Sequence, residues 1–408
     1  MFNLSSMFQG LKGKRQGKIW QLFRATDYES LMYPCFTFCR ILGIFPYKIN
    51  ASTIKASKQC YILSTIIICV FCMIELKILY DINTYNNIAF KNIGTPKLIE
   101  RNFFYINSGF TVVTTFILSG PRMRFLQTLL KVSLKLPPKS YQNLSKLIHT
   151  KDILGFLFVS VQWSILMYNM QFSIVRKIYI LYIYLLMLQM DMLYINCVCI
   201  LKACFKQIND NLANLRELDT KGEPYLLNGT YHEQKIPFLL MEIIALKKQH
   251  LAISETVQKL KMAFTLQLLS TIVMIFTQNT FNLYIYLMQI KGDASMSNQE
   301  RQIYDITFVT LVTYFSTKLM LIVWACETGK NQAMEINSTV YDVFNSTNNQ
   351  QIKYELQLFS LQLSHCENTF SAKGLTVDAT LLTKMVGGIT TYIVILIQFM
   401  FLSNSCDG

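Results

Sequence analysis

Long apolar runs alternate with polar segments along the whole chain. Seven of these runs approach or exceed the ~20 residues that an α-helix needs to cross a bilayer. They cover residues 60–80, 103–119, 153–170, 178–205, 262–290, 303–326 and 381–402. The pattern therefore predicts an all-α membrane protein with seven transmembrane helices.

A shorter apolar segment precedes the first predicted span. Residues 31–46 contain Pro34, Arg40 and Pro46, so we predict a short helix at the membrane interface rather than a further span. None of the eight prolines lies in a predicted span, which favours straight helices across the membrane. In the last span, the adjacent residues Gly387 and Gly388 favour a local break.

The composition agrees with a membrane location. Hydrophobic residues make up 52% of the chain and charged residues 15%, whereas soluble domains carry about 25% charged residues. The net charge of +14 does not predict a nucleic-acid partner, because the basic residues lie between the apolar runs and not in one patch. Four scattered histidines and eleven cysteines offer no recognisable ligand set, so we predict neither a metal nor a cofactor.

The distribution of Lys and Arg predicts the orientation. The segments between spans carry 28 basic residues on one side and 7 on the other, and cytoplasmic loops carry the excess. We therefore predict a cytoplasmic N-terminus and, after seven spans, an extracellular C-terminus. Six N-x-S/T sequons lie on the side predicted to be cytoplasmic, and their glycosylation would invert this orientation. They begin at Asn3, Asn50, Asn143, Asn228, Asn337 and Asn345.

Sequence motifs for catalysis are absent. The chain has no G-x-S-x-G, no phosphate-binding loop, no H-E-x-x-H and no dinucleotide fingerprint, so it is not predicted to be an enzyme. A G-protein-coupled receptor would have an extracellular N-terminus, and the last span lacks N-P-x-x-Y. A secondary transporter stays open, although seven spans do not divide into two equal repeats.

The last span carries a polar stripe. Thr391, Ile395, Gln398 and Leu402 are spaced by four, three and four residues, so they share one face of the helix. A stripe of Thr and Gln in an apolar helix faces protein or water rather than lipid. Both a hydrogen bond between helices and the lining of a pore agree with this pattern.

The last span also resembles a known signature. Thr391-Tyr392, five apolar residues and Gln398-Phe399 match the TYhhhhhQF motif of insect gustatory receptors. The preceding residues 370–375 with Asp378, and the early segment 40–46, resemble the corresponding regions of that family. The resemblance extends over the whole length through chain size, span count and the inward N-terminus.

The resemblance implies a function and a mechanism. Members of that family are ligand-gated, non-selective cation channels in the plasma membrane of chemosensory neurons. A small-molecule tastant would open a homo- or heterotetramer in membrane lipid, and the permeating cations would depolarise the neuron. The last helix of each subunit would line the pore, with Gln398 at the narrow part and Ile395 and Leu402 as apolar neighbours.

The resemblance also implies a ligand pocket in the outer half of each subunit. Polar and aromatic residues at that depth are candidates to line it, and packing between helices is the alternative role for each. They are Trp163, Tyr168, Asn169, Tyr182, Gln189, Gln278, Asn279, Tyr284, Asp305 and Tyr314. Two charged residues within spans, Asp191 and Lys318, mark either a functional site or a structural pair.

The chain is therefore expected to have four parts. Residues 1–59 are the cytoplasmic N-terminal region, 60–326 the six-helix bundle with the ligand pocket, 327–380 the cytoplasmic anchoring helices, and 381–408 the pore-lining helix with the C-terminus. An insect odorant receptor shares this architecture but usually needs a common partner subunit, so it is the nearest alternative.

Overall fold

The computed structural model of the chain describes residues 23–50, 53–84, 95–169, 173–220, 229–292 and 298–406. Within these ranges the chain folds into helices and two short hairpins. The helices are α1 (Tyr28–Ile41), α2 (Lys58–Thr84), α3 (Thr95–Ile117), α4 (Ser119–Ser133), α5 (Pro138–Asn169), α6 (Ile174–Thr220), α7 (Gly229–Gly292), α8 (Asn298–Ser346), α9 (Gln350–His365) and α10 (Ala379–Cys406).

Apart from Leu118, between α3 and α4, every described residue of the seven predicted spans lies in a helix, and this confirms the predicted fold class. Among the described helices, α2, α6, α7, α8 and α10 are long and apolar enough to cross a membrane. The bent pair α3 and α4 counts as a sixth span. The predicted span 153–170 falls in α5 as far as the end of that helix at Asn169, and α5 is not among these candidate spans. The orientation of the termini stays a prediction.

The predicted short helix before the first span is present as α1. Its N-terminus has a capping box, in which the Ser30 amide donates to Asp27 Oδ1 at 2.8 Å and the Asp27 amide donates to Ser30 Oγ at 3.2 Å. One face, including Leu31, Cys35 and Cys39, is buried against the bundle. The helix ends at Ile41, and Gly43, two residues further on, has a φ of 72°, the left-handed conformation that glycine adopts freely.

Two antiparallel hairpins connect helices. Tyr47–Asn50 (β1) pairs with Thr53–Ala56 (β2) between α1 and α2. Ser371–Ala372 (β3) pairs with Leu375–Thr376 (β4) just before α10. Lys373 and Gly374 form the tight turn of the second hairpin, both with positive φ, as this turn type requires.

The prediction of straight helices is wrong at the end of the second span. α3 stops at Ile117, α4 starts at Ser119, and the two helices are bent by 59°. Pro121 lies in the first turn of α4, where no hydrogen bond is lost, so the bend does not require a proline within the apolar run. The buried Arg122 donates from Nη1 to the Thr115 carbonyl at 2.9 Å and caps the exposed carbonyl end of α3.

The predicted helical extensions beyond the spans are also confirmed. α6 continues to Thr220, α7 begins at Gly229 and α8 continues to Ser346, well past the apolar runs. These extensions pack with α9 around Leu212, Ile336 and Phe359, all buried. We call these extensions, together with α9, the anchoring layer, after the role predicted for residues 327–380. α8 is continuous across residue 326, so no break in this helix separates the bundle from the anchoring layer.

Polar contacts fix α9 against α7 in this layer. Lys247 Nζ and Glu355 Oε2 form an ion pair at 2.5 Å. The Gln362 amide lies 3.1 Å from Nδ1 of His250, and the Asn368 amide lies 3.3 Å from its Nε2. The Phe205 and Phe359 rings flank the imidazole, so His250 holds together α6, α7 and α9.

The buried His250 predicts a loss of stability in acid. Burial lowers the pKa of His250 to about 4, whereas an unfolded histidine titrates near 6.5. Between these two pH values the unfolded chain binds a proton that the folded chain excludes. The free energy of unfolding therefore falls by up to about 3 kcal/mol as the pH drops through this window.

Thermal unfolding of the detergent-solubilised protein between pH 7.5 and 4.5 checks this expectation. His250→Gln keeps one donor and one acceptor but does not titrate, so its unfolding temperature should fall less than that of the wild type over the same range. An equal fall in both proteins would show that other groups cause the acid sensitivity.

Candidate pore helix and ligand region

The last helix, α10, starts with two carboxylates at its N-terminus. The Thr380 amide and hydroxyl donate to Asp378 Oδ1 at 3.1 and 2.6 Å, and the Ala379 amide donates to Glu327 Oε2 at 3.4 Å. The Thr380 hydroxyl bond lowers the pKa of Asp378, so this carboxylate stays charged next to the positive end of the helix dipole. Glu327 thus attaches the start of α10 to the middle of α8, and Asp378 caps the first turn of α10 locally.

α10 has one face on the bundle and one face uncovered. Leu381 and Met385 are buried against the core. Tyr392 packs edge-on to Phe276 of α7, with 5.7 Å between the ring centroids. Thr391, Ile395 and Gln398 are exposed, and so is much of Tyr392 despite its contact with Phe276. The predicted stripe therefore lies on the face that the subunit itself does not cover, while the side chain of Leu402 is outside the described residues.

The predicted break at Gly387 and Gly388 is wrong, because α10 runs through both residues without interruption. The structure gives Gly388 a packing role instead. A Cβ atom at Gly388 would lie 3.0 Å from the Phe276 ring, so glycine allows α7 and α10 to approach closely. The Thr391 hydroxyl donates to the Gly387 carbonyl at 2.9 Å within the helix.

Three of the predicted ligand residues form hydrogen bonds with neighbouring parts of the bundle. The Tyr182 hydroxyl donates to the Leu42 carbonyl at 3.0 Å, and Gln189 Nε2 donates to the Cys35 carbonyl at 3.0 Å. These two bonds attach α6 to α1. Gln278 Nε2 donates to Glu100 Oε1 at 2.9 Å and joins α7 to α3. Each of these side chains contributes to packing between helices.

Two other predicted ligand residues keep an unused polar atom. The Tyr314 hydroxyl and the Asn279 Oδ1 atom are buried, and neither has a hydrogen-bond partner among the residues that the structure describes. Buried polar groups normally pair, so an unpaired one requires an explanation. Tyr284 is buried, Trp163 and Asp305 are partly exposed, and the side chains of Tyr168 and Asn169 lie outside the described residues.

Tyr314 belongs to a connected set of rings that we call the aromatic chain. The set joins α2, α3, α5, α6 and α8, with ring centroids between 3.7 Å, for Phe71 on Tyr182, and 6.1 Å, for Phe158 on Tyr314. In order of contact its members are Tyr182, Phe71, Tyr179, Tyr105, Phe104, Tyr184, Tyr314 and Phe158. The sequence prediction included only Tyr182 and Tyr314, because the other rings read as ordinary apolar positions of a span.

Asp191 and Lys318, the two charged span residues that the sequence analysis singled out, form a pair. Lys318 Nζ lies 2.6 Å from Asp191 Oδ2, and both side chains are buried. Thr271 donates to Asp191 Oδ1 at 2.9 Å, so the pair connects α6, α7 and α8. Lys318 Nζ also lies 5.8 Å from the centre of the Tyr314 ring. The pair therefore touches one end of the aromatic chain.

A sequence model of the 7tm chemosensory receptor family matches residues 32–402, which is most of the chain. The chain belongs to this chemosensory receptor family. Membership agrees with the prediction of a multi-pass membrane protein that is not an enzyme. It also accounts for the motif in α10, which lies inside the matched range.

Individual relatives support the predicted resemblance to gustatory receptors. Gustatory receptor 28b of Drosophila melanogaster is 34% identical over 38% of this chain and 33% of its own length. Gustatory receptor 28a of the same insect is 27% identical over 39% of this chain and 35% of its own length. The aligned part thus spans about a third of each of these two receptors.

Solved structures support the fold of this family member. The insect olfactory receptor OR5 from Machilis hrabei is 12% identical, with a TM-score of 0.66 over 90% of this chain and 97% of that chain. The same receptor in complex with eugenol gives a TM-score of 0.67 at 11% identity, over the same shares of both chains. At this identity the likeness concerns the fold alone.

Proposed function

We propose that this family member is a gustatory receptor that acts as a ligand-gated, non-selective cation channel. Four subunits would assemble as a homo- or heterotetramer in the plasma membrane of chemosensory neurons. A tastant would bind within each subunit, and the last helices would open a central pore. The resulting cation influx would depolarise the cell.

The uncovered face of α10 is the observation that carries this proposal. Tyr392 and Ile395 are 54% and 39% exposed on an apolar helix whose other face is packed on the bundle. Polar residues in the same stripe, Thr391 and Gln398, would be costly against lipid but suit a water-filled pore shared with other subunits. Four copies of this stripe would place four Gln398 side chains around one axis.

The aromatic chain is the proposed ligand region. Its rings come from five helices, and the buried, unpaired hydroxyl of Tyr314 offers a hydrogen bond that no described residue uses. Aromatic rings with a few polar groups suit a small organic ligand. Eugenol, which the olfactory receptor OR5 from Machilis hrabei binds, is an aromatic molecule of this kind.

The Asp191–Lys318 pair provides a route from this region to the anchoring layer. Lys318 lies beside Tyr314, and α8 continues from Lys318 to Glu327, which binds the start of α10. A ligand that moves Tyr314 would thus act on the helix that holds the N-terminus of α10. Tyr314, Lys318 and Glu327 all lie on α8, and rigid secondary elements are among the parts of a protein that carry coupling between distant sites.

Recording from cells that express this chain alone tests the proposal. Ligand-evoked whole-cell currents that reverse near zero with sodium and potassium on opposite sides would support a non-selective homomeric channel. Slow flux that follows a substrate gradient would instead indicate a transporter. Currents that require a common partner subunit would indicate the odorant-receptor alternative.

A further inference from the structure

Glu75 is an acidic side chain in the middle of an apolar span. α2 exposes much of its surface, as Met73 and Leu76 show, yet Glu75 itself is only 7% exposed and points into the bundle. No lysine, arginine or histidine in the described part of the chain forms an ion pair with it. A carboxyl group buried at membrane depth without a basic partner is costly, and such residues usually serve a function.

The neighbouring helix makes room for this carboxyl group. Gly109 of α3 faces Glu75, and a Cβ atom at this position would overlap both carboxyl oxygens. The Tyr179 hydroxyl of α6 lies beside the carboxyl group but outside standard hydrogen-bond geometry, and no other described residue forms a hydrogen bond with it. The site therefore combines the Glu75 carboxyl group, which has no basic partner among the described residues, with the buried Tyr179 hydroxyl, which forms no hydrogen bond of standard geometry with them.

Aromatic rings surround the same place. Phe71, one helical turn before Glu75 on α2, stacks on Tyr182 at 3.7 Å and lies 5.9 Å from Tyr179. Tyr105 lies 5.8 Å from Tyr179 on the other side. These rings form one end of the aromatic chain, so Glu75 adds a carboxyl group to the proposed ligand region.

The other carboxylate near these rings is already engaged. Glu100 of α3 accepts the hydrogen bond of Gln278 and lies next to Arg101. Glu75 has no comparable donor in the described residues apart from the Tyr179 hydroxyl and the backbone of Gly109. Of the two acids, Glu75 is the one that has neither a basic partner nor a side-chain amide donor among the described residues.

We propose that Glu75 binds the ammonium group of a cationic organic ligand, with the rings of Phe71, Tyr105 and Tyr179 against its charged end. This inference rests on the ligand region proposed above and specifies the chemical class of the ligand. A carboxylate supplies the counter-charge, and aromatic faces attract an ammonium group once it leaves water. A neutral ligand of the same shape would leave the carboxyl group uncompensated.

Matched probes test this assignment on the full-length protein purified in detergent. Each pair consists of an amine and the alcohol of the same shape, starting with 2-phenylethylamine and 2-phenylethanol and continuing with bulkier pairs. Binding is measured as the concentration-dependent rise in unfolding temperature. We expect at least one amine to bind about 30-fold or more tightly than its alcohol, the equivalent of a buried charge pair.

Two substitutions test whether the preference for the amine depends on the carboxyl group of Glu75. Glu75→Gln should remove the preference for the amine and leave binding of the alcohol unchanged. Gly109→Ala keeps the acid but displaces its carboxyl group, and should weaken amine binding in the same direction. Glu335→Gln removes an exposed acid of α8 and serves as the matched control, with wild-type preference expected.

The outcomes separate this inference from the channel proposal. Amine preference that survives in Glu75→Gln, or no amine preference across the panel, overturns the role of Glu75. Amine-selective stabilisation without any current in expressing cells would support the Glu75 site and count against the channel.

Discussion

Replacing Lys318 with methionine is expected to destabilise the folded subunit by about 3–5 kcal/mol. The substitution leaves Asp191 buried between three helices without its counter-ion, and an unpaired buried charge costs several kcal/mol. Thr271 would remain as its only described side-chain partner. The unfolding temperature of the purified protein, followed by size-exclusion chromatography after heating, measures the loss.

A double variant tests whether the unpaired charge of Asp191 causes the loss of stability. Lys318→Met combined with Asp191→Leu replaces both charges by apolar groups, so its stability should return to within about 1 kcal/mol of the wild type. Lys384→Met, which removes an exposed lysine of α10, should change little and serves as the control. If the double variant is as unstable as Lys318→Met, the ion pair is not the cause of the loss.

Replacing Gln398 with arginine is expected to reduce ligand-evoked cation current about 100-fold. In a tetramer this change places four positive charges around the pore. At roughly 6 Å from the axis they raise the energy of a passing cation by about 3 kcal/mol, even with the dielectric constant of water. Whole-cell recording at matched surface expression measures the effect.

Two further substitutions at the same position provide the comparison. Gln398→Asn keeps the amide and should retain most of the current. Gln398→Glu should favour divalent over monovalent cations, since a ring of carboxylates attracts them. Wild-type current and selectivity in the arginine variant would place the conduction path elsewhere in the protein.

The apolar pattern predicted the helices well but not how they end. A run of apolar residues long enough to cross a bilayer has few alternatives to a helix, because every backbone group must pair within the segment. The bend at Leu118 depends on the cap that Arg122 provides for the carbonyl end of α3, and sequence spacing does not predict this contact. Likewise, the sequence does not show that the Phe276 ring of α7 lies against Gly388, where a Cβ atom would come within 3.0 Å of it.

The same distinction applies to the candidate site: features of a single helix could be predicted from the sequence, whereas contacts between helices could not. The stripe of Thr391, Ile395 and Gln398 follows from helical spacing on a single element, so the sequence was sufficient to find it. The juxtaposition of Glu75 with Gly109 joins two helices, and a lone acid in a span carries no mark of its neighbours. The sequence left open whether Asp191 and Lys318 mark a functional site or a structural pair, and the packing of α6 against α8 shows that the two residues form an ion pair.

Cysteine accessibility along α10 tests the central claim, that this helix lines a ligand-gated pore. Thr391→Cys, Ile395→Cys and Gln398→Cys are each treated with a charged methanethiosulfonate reagent during ligand application, and Leu381→Cys and Met385→Cys serve as core-facing controls. Block of the current at positions 391, 395 and 398, and at neither control, is the predicted result. Block at the two controls, or no block along the uncovered face, would contradict the proposal that α10 lines the pore.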